Sequence, residues 1–169
     1  AFYEKYNCDV AYLGHPLLDA ISTWKKAQES DDLIWKKSGR PLVALLPGSR
    51  SQELQKMLPK MMAVKKRFPK CDFVIAGVGF LGRDFYKSYI KDPNIEVVFN
   101  QTYALFNEAD AALVSSGTAT LETALFNVPQ VVCYQTSWFS YKVAKLLVDV
   151  KYISLVNLIA DQEVVKELI

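Results

Sequence analysis

Short apolar runs alternate along this chain with segments whose apolar residues recur at helical spacing. Five runs of four or five residues predict buried strands, at 42–46, 72–76, 95–99, 111–114 and 130–134. The segments between and after them predict helices, at 54–68, 81–90, 102–109, 119–125 and 138–148. This alternation is typical of an α/β domain, and we predict a doubly wound, Rossmann-like fold with a mostly parallel sheet.

The composition excludes several classes of protein. Of the 169 residues, 51% are hydrophobic, which is enough to bury a core. A net charge of +2 is too small to indicate nucleic-acid binding. No apolar run approaches the roughly 20 residues that a membrane-spanning helix needs. We therefore predict a cytoplasmic protein with no nucleic-acid partner.

The cysteines and the single histidine limit the metal and redox chemistry that we expect. Cys8, Cys71 and Cys133 are widely spaced without a CxxC pair, and the one histidine is His15. This distribution speaks against a structural zinc site and against a disulfide scaffold, and it suits a reducing compartment. We expect no metal and no cofactor.

The amino-terminal part of the chain differs in pattern from the rest. Residues 1–30 are predicted to form a junction, with a strand at 9–13 and a helix that begins at Pro16. The charged stretch 31–41 predicts a linker, and residues 42–169 predict the Rossmann-like domain.

Both ends of the chain suggest part of a longer protein. Residue 1 is not methionine, and residues 161–169 stop within an amphipathic helical pattern. Just before them, residues 152–155 predict either one more strand or an extended loop.

A predicted strand turns directly into a predicted helix within Ser115-Ser116-Gly117-Thr118-Ala119-Thr120-Leu121-Glu122. The first turn of a helix leaves backbone N–H groups unpaired at the positive end of the dipole, which favours phosphate or another anion. Gly117 admits a close approach of ligand to backbone, and neighbouring hydroxyls add hydrogen bonds. Glu122 has two acceptor oxygens for a diol such as ribose. The alternative is an ordinary serine N-cap, with Glu122 as an acid near the helix start.

A second loop, Pro47-Gly48-Ser49-Arg50, ends the predicted strand 42–46. Ligands of doubly wound sheets bind beyond the carboxyl ends of the strands, so this loop and the loop at Gly117 are expected to face one crevice. The guanidinium of Arg50 suits a phosphate or a carboxylate, although a surface salt bridge is the alternative. Glycines at 77, 79 and 82 match a dinucleotide fingerprint literally, but no acid follows the next strand, and we interpret them as a loop.

Several motifs in order resemble the lipid-A-disaccharide synthase family. They are Leu45-Leu46-Pro47-Gly48-Ser49-Arg50 with Glu53, Ser116 to Glu122, Tyr152 to Ile159, and Gly14-His15-Pro16-Leu17. The resemblance runs over essentially the whole chain. It departs at Val156, where the family usually has proline before the asparagine.

The resemblance implies the carboxyl-terminal, nucleotide-sugar-binding half of a two-domain GT-B glycosyltransferase. That family joins UDP-diacylglucosamine to diacylglucosamine 1-phosphate, an acylated sugar phosphate, and releases UDP. The acceptor site and a catalytic carboxylate base are then expected in an amino-terminal domain outside this chain. The alternatives are another UDP-sugar enzyme, such as an epimerase or a lipid-linked transferase, and a non-catalytic nucleotide-binding module.

The same resemblance gives the loop residues their roles. Backbone N–H groups of Gly117, Thr118 and Ala119, with Arg50, are expected to stabilise the leaving β-phosphate without a metal. Glu122 is expected to hold the ribose hydroxyls. Further substrate-binding candidates are Gly48, Ser49, Ser116, Gln101 near the uracil, and Asn157, for which capping of the backbone is the alternative.

Two other features allow more than one interpretation. His15 is either a hinge residue bonded to the backbone or a general base, and its place at a domain junction favours the hinge. Trp138, Tyr141, Lys142 and Lys145 recur at helical spacing. Such an aromatic and basic face suits the anionic surface of the inner membrane or an interface with segments outside the chain.

Overall fold

The computed structural model describes residues 3–11, 13–27, 38–135 and 151–168. The chain forms two units, Ala1–Asp31 and Asp32–Ile169. In the first unit, a 3-10 turn at Tyr3–Tyr6 is followed by helix α1, Pro16–Ala27, which begins at the predicted proline. The predicted linker and the aromatic and basic face at 138–145 lie largely or wholly outside the described residues.

The predicted strand at 9–13 is wrong. Residues 8–11 and 13 are irregular, Val10 is exposed, and Leu13 is 94% exposed. An apolar run forms a sheet strand only where a neighbouring strand pairs with it and its side chains are covered. Neither condition is met by the described residues of this segment.

The second unit contains a six-stranded sheet in which every pairing is parallel. Its strands are β1 (Leu42–Leu46), β2 (Asp72–Gly77), β3 (Ile95–Phe99), β4 (Ala111–Ser115), β5 (Gln130–Cys133) and β6 (Lys166–Leu168). The helices are α2 (Ser51–Val64), α3 (Gly82–Lys87), α4 (Thr102–Glu108), α5 (Thr118–Leu125) and α6 (Leu155–Ala160). The predicted α/β fold and five predicted strands are confirmed.

The strand order is β3-β2-β1-β4-β5-β6, which is that of a Rossmann-like sheet. The direction in which successive strands are added reverses between β1 and β4, whose pairing aligns Leu46 with Val114. Loops that leave these two neighbours diverge at their carboxyl ends, which creates a crevice. The fold therefore brings the two predicted site loops side by side.

The core lies where α2 covers the sheet. Leu54 and Leu58 of α2 are fully buried in a cluster with Leu45, Phe73 and Ile75 of the strands. The apolar positions of α2 keep to one face, as an amphipathic helix on a sheet requires. This packing fixes the start of α2, and with it the loop that follows β1.

The carboxyl-terminal segment corrects one expectation and decides between two alternatives. Residues 161–169 were expected to be helical, but Asp161 has a φ of 49° and Lys166–Leu168 pair with β5 as strand β6. Residues 152–154 are irregular and lead into α6, so of the two alternatives predicted for 152–155 the loop is correct up to the start of that helix. A parallel edge such as that of β5 offers unpaired N–H and C=O groups, which this short segment satisfies.

Candidate functional site

A cleft of about 320 Å³ opens at the carboxyl ends of β1, β2 and β4. A volume of this size is at the lower end of those of small-molecule sites. Seven of the ten predicted substrate-binding residues line it: Gly48, Ser49, Ser116, Gly117, Thr118, Ala119 and Glu122. The expectation that the two loops face one crevice is thereby confirmed.

The loop after β1 depends on a glycine. Gly48 has a φ of 108°, which favours residues without a Cβ. A Cβ at this position would lie 2.8 Å from Glu53 Oε2 and 3.2 Å from Glu53 Cβ. The absence of a Cβ at Gly48 leaves room for Glu53, which lines the cleft. Its proximity was not detectable from helical periodicity, because it depends on the conformation of the loop.

The loop after β4 presents the start of α5 to the cleft. The Thr120 N–H bonds the Gly117 carbonyl across 3.1 Å, whereas the first N–H groups of a helix have no carbonyl of an earlier turn to bond. Thr118 and Ala119 hold these first positions and line the cleft. The start of a helix therefore lies at the cleft, as the sequence predicted, and its role in binding an anion stays a prediction.

Ser116 differs from its predicted role. Its N–H donates to the Cys133 carbonyl at 3.2 Å, and its hydroxyl donates to the Ile153 carbonyl at 3.0 Å. Both of its donors are thus engaged by the protein, and a fully ionised phosphate offers only acceptors. Ser116 lines the cleft, but in this geometry it anchors the loop instead of donating to an anion.

Glu122 is oriented by a tyrosine that the sequence did not single out as a site residue. The Tyr103 hydroxyl donates to Glu122 Oε1 at 3.0 Å, and the Tyr103 ring packs against Phe126 with centroids 5.2 Å apart. Burial and the neighbouring Glu122 carboxylate raise the pKa of Tyr103 to about 12. The phenol therefore stays protonated and keeps donating to Glu122 at physiological pH.

Arg50 does not line the cleft in this structure. Its side chain is 84% exposed, and Nη1 lies 3.0 Å from Glu53 Oε1. This is the surface salt bridge that the sequence left open as the alternative. Exposed pairs of this kind are worth about 0–1 kcal/mol, so the guanidinium can exchange Glu53 for another anion at small cost.

The structure places Asn157 outside the lining of the cleft. The residue is fully buried, Nδ2 donates to Val165 O at 2.8 Å, and Oδ1 accepts the Val164 N–H at 2.8 Å. Its amide is fully engaged, so contact with a donor sugar is contradicted and the capping alternative is correct. The motif resembles the family's, but its asparagine closes a loop.

The remaining predicted residue, Gln101, also lies outside the cleft lining. It precedes α4, and its Oε1 is buried without a hydrogen-bond partner among the described residues. The adjacent Thr102 lines the cleft, as do Gly77 and Val78 at the end of β2. A Cβ at Gly77 would lie 2.6 Å from Val97 Cγ1, so this position requires glycine. A glycine at the carboxyl end of a predicted strand was the sequence signal that could have placed Gly77 and Val78 at the cleft.

His15 takes the structural role. Its Nδ1 accepts the Leu17 N–H at 3.2 Å, and its carbonyl accepts the Leu18 N–H at 3.0 Å, so it closes the first turn of α1. Within the described ranges, no three His, Cys, Asp or Glu side chains group as they would around a metal ion. None of the described helices has the length and apolarity to cross a membrane.

Sequence comparison decides the family. The model of the lipid-A-disaccharide synthetase family matches residues 1–169. The chain belongs to this family. The lipid-A-disaccharide synthases of Psychromonas ingrahamii and Syntrophus aciditrophicus are 34% and 35% identical, and each alignment covers 99% of this chain.

The family members are longer than this chain. The alignments cover 46% and 45% of those two relatives, so the chain spans less than half of their length. Among solved structures, the glycosyltransferase SnogD from Streptomyces nogalater is 24% identical, with a TM-score of 0.47. That match covers 82% of this chain and 34% of SnogD.

Proposed function

We propose that this chain is the nucleotide-sugar-binding half of a GT-B glycosyltransferase that forms the lipid A disaccharide. The complete protein would transfer diacylglucosamine from UDP-diacylglucosamine to diacylglucosamine 1-phosphate and release UDP. The observation that carries the proposal is the cleft between β1 and β4, which brings residues of two of the quoted motifs, Gly48 to Glu53 and Ser116 to Glu122, together at the switch point of the sheet.

The cleft supports the departure of UDP. Negative charge develops on the β-phosphate as the glycosidic bond breaks, and donors fixed at that point stabilise the transition state more than the ground state. The N–H groups of Gly117, Thr118 and Ala119 would supply these donors. Arg50 would leave Glu53 for the pyrophosphate, because the exposed ion pair costs little to break and the pyrophosphate carries more negative charge than one carboxylate.

Glu122 would recognise the ribose. Its Oε1 is held by the Tyr103 hydroxyl, and Glu122 itself lines the cleft. A carboxylate fixed in this way accepts hydrogen bonds from vicinal hydroxyls without first losing side-chain freedom. No cofactor is required, because the UDP-sugar is itself a substrate.

The acceptor site and the catalytic base would lie in the part of the protein outside this chain. Catalysis requires the acceptor hydroxyl within about 3–3.5 Å of the anomeric carbon and a base to remove its proton. Glu122 accepts a hydrogen bond from the Tyr103 hydroxyl and is assigned to the ribose, and His15 closes the first turn of a helix, so neither of these residues serves as the base. The lipid substrates would place the complete protein at the cytoplasmic surface of the inner membrane.

A transfer assay tests the proposal. The complete protein is incubated with UDP-diacylglucosamine and diacylglucosamine 1-phosphate, and the disaccharide is measured by mass spectrometry beside this chain alone. We expect product from the complete protein and none from the chain. Arg50→Ala should reduce turnover, whereas Arg67→Ala, an exposed arginine beyond α2, should not. Release of UDP without disaccharide, or binding without turnover, would contradict the proposal in favour of another UDP-sugar enzyme or a binding module.

A further inference from the structure

Glu167, on the edge strand β6, gathers an unusual number of hydrogen bonds for a partly exposed carboxylate. Its Oε2 accepts the Ile153 N–H at 2.9 Å. Its Oε1 accepts the Ser154 N–H at 2.9 Å, the Ser154 hydroxyl at 2.7 Å and Asn157 Nδ2 at 2.9 Å. Burial alone would raise the pKa of this carboxyl, but the bonds from Ser154, Ile153 and Asn157 outweigh it and hold the pKa below its usual range.

These bonds fix the irregular segment 151–154 against the end of the sheet. Ser154 also caps α6, since its hydroxyl accepts the Asn157 N–H at 3.3 Å. Asn157 in turn binds the loop before β6 through the Val164 and Val165 N–H groups. The segment, the helix and the strand are thus joined around one carboxylate.

The fixed segment reaches the cleft through one residue. The Ile153 peptide donates its N–H side to Glu167, and the Ile153 carbonyl accepts the Ser116 hydroxyl at 3.0 Å. Strand β6 also supports the second anchor of Ser116. The Ser116 N–H bonds Cys133 O, and Cys133 pairs with Leu168 in the sheet.

We propose that Glu167 is a positioning residue for the anion-binding turn at Gly117 and Thr118, acting through Ile153 and Ser116. The inference rests on the proposed function, because the turn it positions is the proposed phosphate site. Among the described residues, Ile153, Ser154 and Glu167 do not line the cleft, so Glu167 has no direct contact with a ligand there. Its effect is to fix where the first N–H groups of α5 lie.

The charge and both oxygens of Glu167 are needed for this role. Every bond to the carboxylate comes from a donor, so an amide in its place would set its own N–H₂ against one of them. A matched control lies four residues earlier. Glu163 is exposed and is paired only with the neighbouring Lys166, at 3.0 Å, in the described contacts.

The experiment compares Glu167→Gln with Glu163→Gln, each with serine and with alanine at position 116. Hydrogen exchange of the Ser116 amide reports the turn without any ligand, and calorimetric titration with UDP reports the site. We expect Glu167→Gln to speed that exchange and to weaken UDP binding by about tenfold. Most of both effects should disappear in the Ser116→Ala background, where the hydrogen bond from the Ser116 hydroxyl to Ile153 is already lost. Glu163→Gln should leave both unchanged.

A second variant tests the inference if Glu167→Gln does not fold. Ser154→Ala keeps the charge of Glu167 and removes one of its donors, so it should change both readouts in the same direction by a smaller factor. Unchanged Ser116 exchange in these variants, or equal losses in both backgrounds, would overturn the inference. If the unaltered chain does not bind UDP, the proposed function fails, and the exchange measurements still decide whether Glu167 positions the turn.

Discussion

The Tyr103 hydroxyl lies 3.0 Å from Glu122 Oε1 and holds that carboxylate in the cleft wall. The bond joins α4 to α5, two helices that follow different strands of the sheet. A carboxylate beside a proposed phosphate site is unfavourable, because the two negative charges repel each other, unless the carboxylate accepts hydrogen bonds from donors of its own. A ribose diol would supply such donors.

Removal of this carboxylate should reveal the ribose contact. Glu122→Ala is expected to make the binding free energy of UDP less favourable by about 1.5–3 kcal/mol, the usual contribution of a hydrogen bond to a charged group. The affinity of the chain for the dideoxy form of UDP should change little with the same substitution, because that ligand lacks the ribose hydroxyls. Tyr103→Phe should act in the same direction by about 0.5–1.5 kcal/mol, since it frees Glu122 without removing it. Equal losses for both nucleotides would refute the ribose role.

The tyrosine also predicts how stability depends on pH. The pKa of Tyr103 is raised from 10.0 to about 12, so the folded state retains the phenolic proton where the unfolded state loses it. Its contribution is fully present below pH 10 and is lost as the pH rises towards 12. The midpoint temperature of thermal unfolding should fall more steeply with pH across this window for the unaltered chain than for Tyr103→Phe. Parallel curves would contradict the assignment.

Glu167 predicts the opposite behaviour in acid. Its folded-state pKa is lowered, so its contribution is present above the ordinary value of 4.5 and is lost as the pH falls through the folded value. Acidification below pH 4.5 should therefore destabilise the unaltered chain more than Glu167→Gln, as measured by urea unfolding at several pH values. Glu163→Gln serves as the control, and an identical acid profile for all three proteins would count against the carboxylate network.

Gly48 should resist substitution more than a glycine in open space. Gly48→Ala places a Cβ 2.8 Å from Glu53 Oε2 at a positive φ, whereas a Cβ at Gly39, also at positive φ, meets no atom within 4 Å. Backbone strain of this kind costs about 1–3 kcal/mol and applies to both, so the contact with Glu53 is the difference. Denaturant unfolding should show the larger loss of stability for Gly48→Ala. Of the two variants, only Gly48→Ala should weaken UDP binding. A larger loss for Gly39→Ala would show that the loop is not restrained as described.

The sequence predicted the sheet and the loops well because both follow from local pattern. Buried parallel strands such as 42–46 are continuous apolar runs, and their carboxyl ends locate ligand loops without further information. Strand β6 was missed because Lys166-Glu167-Leu168 has no such run and is defined by the edge of β5. The role of Asn157 was left open between substrate contact and capping because its partners at 164–167 are brought to it only by that strand.

The partners of the remaining site residues were equally hidden. Glu53 has room at the cleft because Gly48 lacks a Cβ, and the Ser116 hydroxyl is engaged by Ile153, 37 residues away. Long-range contacts of this type leave no periodic signal in a sequence. The family motif identified residues that line the cleft but did not distinguish those with free donors from those, such as Ser116, that fix the loop.

Mapping of UDP on this chain by amide chemical shifts tests the central claim most directly. The account predicts one saturable site, with UDP bound more tightly than ADP and the largest shifts at the amides of Gly117, Thr118 and Ala119. Smaller shifts are expected at Gly48 and Glu122 across the cleft. Shifts centred elsewhere, for instance on the second pocket of about 330 Å³ beside Arg83 and Lys87, or no preference for UDP, would contradict it.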